Sequence, residues 1–123
     1  MKFTSICLVT KGVPALAGFY TKVLGVDAEG DDTHVELKTH GAGISIFTAG
    51  GMEAMAPGSM QGAGNGNIVI GFEVEDVDQE YERLKELAVE VVKRPESYPW
   101  GSRSAWFRDP DGNIIDLYTV LAK

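Results

Sequence analysis

The chain has 123 residues, 44% of them apolar and 24% charged, which is the make-up of one ordinary globular domain able to bury roughly two-thirds of its unfolded surface. Eighteen acidic against eleven basic residues give a net charge of -7 with no basic stripe, so nucleic acid is not expected as a partner. No apolar run approaches the roughly 18 residues of a membrane span, the opening MKFTSICLVTKG lacks a signal peptide's apolar core, and the single Cys7 cannot form an internal disulfide, so a cytoplasmic protein without a membrane partner is expected.

Residues 2–9 (KFTSICLV) read as a strand, with Cys7 as apolar filler inside it. Pro14 then stands in the first turn of a helix, where its missing N–H is harmless. Ala15, Leu16, Phe19, Tyr20, Val23 and Leu24 form the apolar face of that helix, and Gly25 ends it. Three short strands are expected near 26–29, 33–38 and 42–48, separated by GDD and HGAG. The stretch 49–66 holds six glycines and no periodic face, and reads as a linker. Its Met52, Met55 and Met60 make it either a plain surface loop or an adaptable apolar lid.

The second half repeats the order of the first. Residues 67–74 (NIVIGFEV) read as a strand, and Asp76 followed three residues later by Gln79 resembles a capping box. Val77, Tyr81, Leu84 and Ala88 supply the helix's buried face. Strands follow near 90–93, 103–107 and 113–120, the last two joined by the turn Asp109, Pro110, Asp111, Gly112. The whole is expected to be one α+β domain over residues 1–123, built from two tandem βαβββ units at about 2–48 and 67–120. Two such units bury their faces by curving a mixed sheet around an internal cavity with the helices outside.

Three segments carry a family resemblance: GFYTKVLG at 18–25, VEDVDQEYERL opening the second helix, and WGSRSAWFRDPDGNIIDLY at 100–118. Together they resemble the vicinal-oxygen-chelate superfamily of glyoxalases, extradiol dioxygenases and antibiotic-resistance proteins. The resemblance implies the doubled βαβββ fold and a homodimer. It also implies four metal-ligand positions on the inner face, which here match Ser5, Ile46, Val69 and Asp116. Ile46 and Val69 have no donor atom, Ser5 is a poor ligand, and a one-residue slip at Ile46 brings in Ser45 or Phe47, which restores none. His34 and His40 fall on a peripheral strand and turn as solvated residues. No metal and no other cofactor is therefore expected.

With Ser5 and Asp116 facing inward, strand alternation also directs Cys7, Thr48, Gly71, Ile114 and Tyr118 to the cavity. The resemblance to fosfomycin-resistance proteins adds Ser102, Ser104 and Trp106. Trp106 and Tyr118 offer stacking surface or fill the core, and Trp100 stands at the pocket mouth or over the sheet edge. Asp116, flanked by Ile115 and Leu117, is either an acid or base with a raised pKa or a hydrogen-bonded carboxylate. Arg103 and Arg108 are expected opposite Trp106, paired with acidic residues of the second helix. The ligand set is thus Ser5, Cys7, Thr48, Trp100, Ser104, Trp106, Asp116 and Tyr118. With the metal positions unfilled, the chain is most similar in type to the bleomycin-resistance branch, and that resemblance implies a metal-independent protein that binds or sequesters a small organic molecule. Two rivals are a related lyase, isomerase or dioxygenase using Asp116, and a partner-binding module with a closed cavity.

Overall fold

A computed structural model describes residues 1–121. The chain divides into two compact units, residues 1–63 and residue 64 onward, with the boundary inside the stretch expected to link the repeats. Eight strands fall into two four-stranded mixed sheets, accompanied by three helices among the described residues. The fold is α+β.

The first unit runs β1 (Ser5–Thr10), α1 (Val13–Leu24), β2 (Ala28–Gly30), β3 (His34–Leu37), β4 (Gly43–Thr48) and α2 (Ala49–Met55). Its sheet order is β1-β4-β3-β2, with β1 and β4 parallel and the other pairs antiparallel. Pro14 stands in the first turn of α1, and Gly25 closes the helix with φ 66°, a left-handed conformation that a Cβ would strain. The buried face of α1, Val13, Leu16, Ala17, Tyr20 and Val23, packs on β3 and β4. Val35, Leu37, Ile44 and Ile46 are the buried residues of those two strands, and Leu8 and Thr10 are those of the neighbouring β1.

The stretch 49–66 is more ordered than its glycines suggest. Thr48 caps α2 by accepting from the Gly51 N–H at 2.9 Å, and Glu53 accepts from the N–H groups of Gly58 and Met60 at 2.8 Å each. Those two backbone donors, Gly58 first, hold the Glu53 carboxyl below its ordinary pKa. A capping hydroxyl and a turn-closing carboxylate thus override poor helix propensity.

The second unit runs β5 (Val69–Glu73), α3 (Val77–Glu86), β6 (Val91–Ser97), β7 (Ser102–Arg108) and β8 (Ile114–Val120). The order β5-β8-β7-β6 repeats that of the first unit, again with the first and last strands parallel. Asp76 caps α3 by accepting from the Gln79 N–H at 3.1 Å, as its sequence spacing predicts. Val77, Tyr81 and Leu84 are buried beneath α3, which packs on β6, β7 and β8. Ala88 is not part of that face: it follows the helix at φ 59° and is exposed. Phe107, with no exposed surface, meets the Tyr81 ring at 6.0 Å.

The DPDGN turn is a structural device. Asp109 is buried; its Oδ1 accepts from the N–H groups of Asp111 and Asn113, and its Oδ2 accepts from the Asn113 side chain, all at 2.9 Å. Gly112 takes φ 87°, which the turn requires. This turn sets the β7–β8 register, in which Ser104 faces Tyr118 and Trp106 faces Asp116.

Candidate functional site

Each sheet has one face against its helix, and alternation decides which side chains lie on the other. In the second unit Ala105, Phe107, Ile115 and Leu117 are buried on the helix side. Ser102, Ser104, Trp106, Asp116 and Tyr118 therefore share the opposite face. Together with Lys93, Tyr98 and Trp100 they line an open cleft of about 330 Å³.

Five of the eight residues expected in the site meet here: Trp100, Ser104, Trp106, Asp116 and Tyr118. Ser102, expected to face inward, joins them. Ser5, Cys7 and Thr48 belong to the first unit and are not among the lining residues. Ser5 and Cys7 are exposed on the face of β1 opposite buried Leu8 and Thr10. Thr48 corrects the expectation made for it, because it shares the alternation of Ile44 and Ile46 and serves as the cap of α2.

Lys93 and Tyr98 were not found from sequence, and both arrive through the edge strand. The β6–β7 ladder pairs Ser97 with Arg103 and Glu96 with Ser104, and continued regularly it would set Lys93 against Phe107 on the helix side. Irregularities on both sides of Lys93 instead place it opposite Trp106, in the cleft. Pro95, inside the strand, was the available sign, since proline within a strand marks an edge or a bulge.

The Lys93 ammonium donates to Ser104 Oγ at 3.0 Å and to the Tyr98 hydroxyl, and lies 4.1 Å from the Tyr98 ring centroid and 4.9 Å from that of Trp106. Cation–π attraction to two rings and two hydrogen bonds fix its position. The Tyr98 hydroxyl donates onward to Glu96 at 3.0 Å. At the mouth, Trp100 stacks on Tyr98 with centroids 4.6 Å apart and planes within 5°, yet remains 74% exposed.

Asp116 has the unusual electrostatics. Burial pushes its pKa above the ordinary aspartate value, while the neighbouring Trp106 indole and the Lys93 charge pull it partly back. The indole dipole acts without a hydrogen bond of ordinary geometry, because both Trp106 Nε1 and Asp116 Oδ1 are buried with no partner in the protein. The cleft therefore combines an anchored cation, a partly desolvated carboxyl and aromatic walls.

The two arginines separate. Arg103 lies on the helix side and grips Asp78 of α3 through two hydrogen bonds of 2.8 Å, as expected. These bonds hold the Asp78 carboxyl below its ordinary value. Arg108 corrects the expectation: it has the alternation of Trp106, donates to the Gly112 carbonyl at 2.9 Å, and pairs at 3.2 Å with Glu90, which precedes β6.

The positions matched to metal ligands do not fit a divalent centre. Ile46 is fully buried on the helix side, so the slipped register holds there and Ser45 and Phe47 occupy the opposite face. Val69 is exposed but has no donor atom, and Ser5 is exposed without a histidine or carboxylate across the ladder, where Gly43 stands. Among the described residues no three His, Cys, Asp or Glu side chains gather. His34 is exposed on β3, 5.8 Å from the Phe47 ring and 3.5 Å from Glu36.

Known proteins share this architecture. An uncharacterised protein of Bacillus subtilis, YraH, is 30% identical in an alignment covering 98% of this chain and all of that protein. A protein of unknown function from Agrobacterium tumefaciens is 28% identical with a TM-score of 0.79, covering 98% of this chain and 95% of that one. A glyoxalase/bleomycin resistance protein/dioxygenase from Nocardioides, 24% identical, shares the fold with a TM-score of 0.82 over 98% of this chain and 84% of its own. The family model described as glyoxalase/bleomycin resistance protein/dioxygenase matches residues 2–117, and the chain belongs to that superfamily.

Proposed function

We propose that the cleft of the second unit binds a small organic molecule through protein side chains alone, in the manner of a sequestering protein of the bleomycin-resistance type. The observation that carries this reading is the convergence of Lys93, Trp106 and Asp116 in one open cleft walled by Tyr98, Trp100 and Tyr118. Aromatic faces with a few convergent polar groups suit a flat ligand whose orientation the polar groups fix. The donor-poor metal positions support recognition without a metal.

The test is a screen of flat organic compounds against chelator-treated protein, read by thermal shift and tryptophan fluorescence. Binders are expected, with affinity unchanged by added divalent ions and lost in Trp106→Ala. A screen without binders, or binding that needs a divalent ion, overturns the reading. One observation favours a second reading: the partly desolvated Asp116 is suited to proton transfer, as in a lyase or isomerase. That reading requires product formation that disappears in Asp116→Asn.

The family resemblance adds two expectations, one domain made from both units and a homodimer. A single cooperative unfolding transition and a molar mass about twice that of the chain would bear them out.

A further inference from the structure

Lys93 is a half-buried cation whose partners are all neutral. Its ammonium donates to Ser104 Oγ at 3.0 Å and to the Tyr98 hydroxyl, which uses two of its three N–H donors. Among the described residues no carboxylate forms an ion pair with it, and Glu96 is linked to it only through the Tyr98 hydroxyl. A lysine drawn out of water ordinarily has an anion beside it. The Tyr98 and Trp106 rings, at 4.1 Å and 4.9 Å, hold the ammonium in place, so the third N–H is offered to the cleft from a fixed position.

An aromatic surface stands next to that donor. Trp100 stacks on Tyr98 with centroids 4.6 Å apart and is 74% exposed, which leaves the outer face of the stack open. Lys93 Nζ and the Trp100 ring flank the same Tyr98 ring, so one bicyclic molecule can touch both.

Asp116 is the competing charge, and the fold keeps it apart. In the row Lys93, Trp106, Asp116 it stands two strands from Lys93, which separates the two backbone positions by about 10 Å with the indole between them. Its Oδ1 and the Trp106 Nε1 are buried beside each other and are not open to the cleft. A ligand anion can therefore pair with Lys93 at the end of the row away from Asp116. A carboxylate on an aromatic ring is planar with that ring, so both enter the cleft in one plane, and its bond to an ammonium is charge-assisted.

We infer that the cleft selects flat aromatic carboxylates, whose carboxylate accepts from Lys93 Nζ and whose ring lies against the wall formed by Trp106 and Trp100. This rests on the proposed function of the cleft and specifies its ligand class.

Three probes of nearly equal size and different charge separate the possibilities: naphthalene-2-carboxylate, naphthalene-2-carboxamide and the 2-naphthylmethylammonium cation. Their affinities are measured by isothermal titration calorimetry on the full chain and on Lys93→Met. The carboxylate is expected to bind roughly tenfold tighter than the carboxamide, and the cation weakest. In Lys93→Met the carboxylate-to-carboxamide ratio should fall to about one. Equal binding of all three, or tightest binding of the carboxamide or the cation, overturns the inference while the proposed function stands. A tenfold ratio that survives in Lys93→Met overturns it too, because the anion is then recognised elsewhere. Binding by none of the three overturns the inference together with the reading of the cleft as a site for flat ligands. If Lys93→Met does not fold, Lys93→Gln takes its place, with the same ratio expected and the same result overturning the inference.

Discussion

The two units share one strand order and one helix position, and they differ most at the edge strand. In the first unit that strand, β2, has three residues, all exposed. In the second it is β6, seven residues with Pro95 and two register irregularities, followed by a turn bearing Tyr98 and Trp100. The helix-side layers of both units are filled alike, by Ile44, Ile46 and Leu37 in one and by Phe107, Ile115 and Leu117 in the other. An edge strand can lengthen and bulge without disturbing the pairs that bury the core, and here the bulged edge carries three of the eight cleft residues, Lys93, Tyr98 and Trp100.

The shared layer should be the most sensitive to damage. Phe107→Ala is expected to cost about 3–5 kcal/mol and Ile46→Ala about 2–5 kcal/mol, measured by urea denaturation. A cost under ~1 kcal/mol at either position would break the comparison, by showing that one unit does not depend on its helix–sheet core.

The helix starts give a smaller contrast. Asp76 caps α3 with its side chain, whereas Gly12 gives α1 no side-chain cap. Asp76→Ala should destabilise by about 0.5–2 kcal/mol, and Gly12→Ser should stabilise by a few tenths of a kcal/mol at most. Equal responses at the two sites would show that the difference in capping is immaterial.

In the cleft the smallest effects are electrostatic, and they have a definite sign. Trp106 and Lys93 both pull the Asp116 pKa down against burial, Trp106 more strongly. Trp106→Phe should raise that pKa further and Lys93→Met should raise it less, as read from the carboxyl ¹³C shift across a titration. An unchanged value in Lys93→Met would mean that the bulge does not hold Lys93 beside Asp116. A carboxyl whose pKa is higher in the folded than in the unfolded state detracts from stability above its unfolded pKa, and the loss disappears as pH falls through the folded pKa. Asp116→Asn should therefore stabilise the protein at neutral pH, with a gain that shrinks in acid.

Much of this was legible in the sequence because it rests on local rules. Pro14, Gly25 and the Asp76–Gln79 spacing mark the helix ends, and two-residue alternation puts Tyr118 on the face of Asp116, while the family resemblance supplies Asp116 itself and adds Ser104 and Trp106. Alternation fails where the ladder slips, so it does not bring Lys93 to the cleft face. At Ile46 and Thr48 the difficulty was different. Mapping a ligand position from relatives onto Ile46 fixed the wrong parity for β4, although two buried isoleucines at 44 and 46 favour the helix side. The helix α2 was hidden by Gly50 and Gly51, since its order depends on Thr48 and on a carboxylate reaching five and seven residues ahead.

The central claim is that the bulged edge strand completes a ligand site within the second unit. A crystal structure of the protein with the tightest compound from the screen tests it most directly. The account predicts the compound in the cleft, against Trp106 and within reach of Asp116, with Lys93 on the same face. A compound bound away from the Trp106 face, or Lys93 turned toward α3, would contradict it.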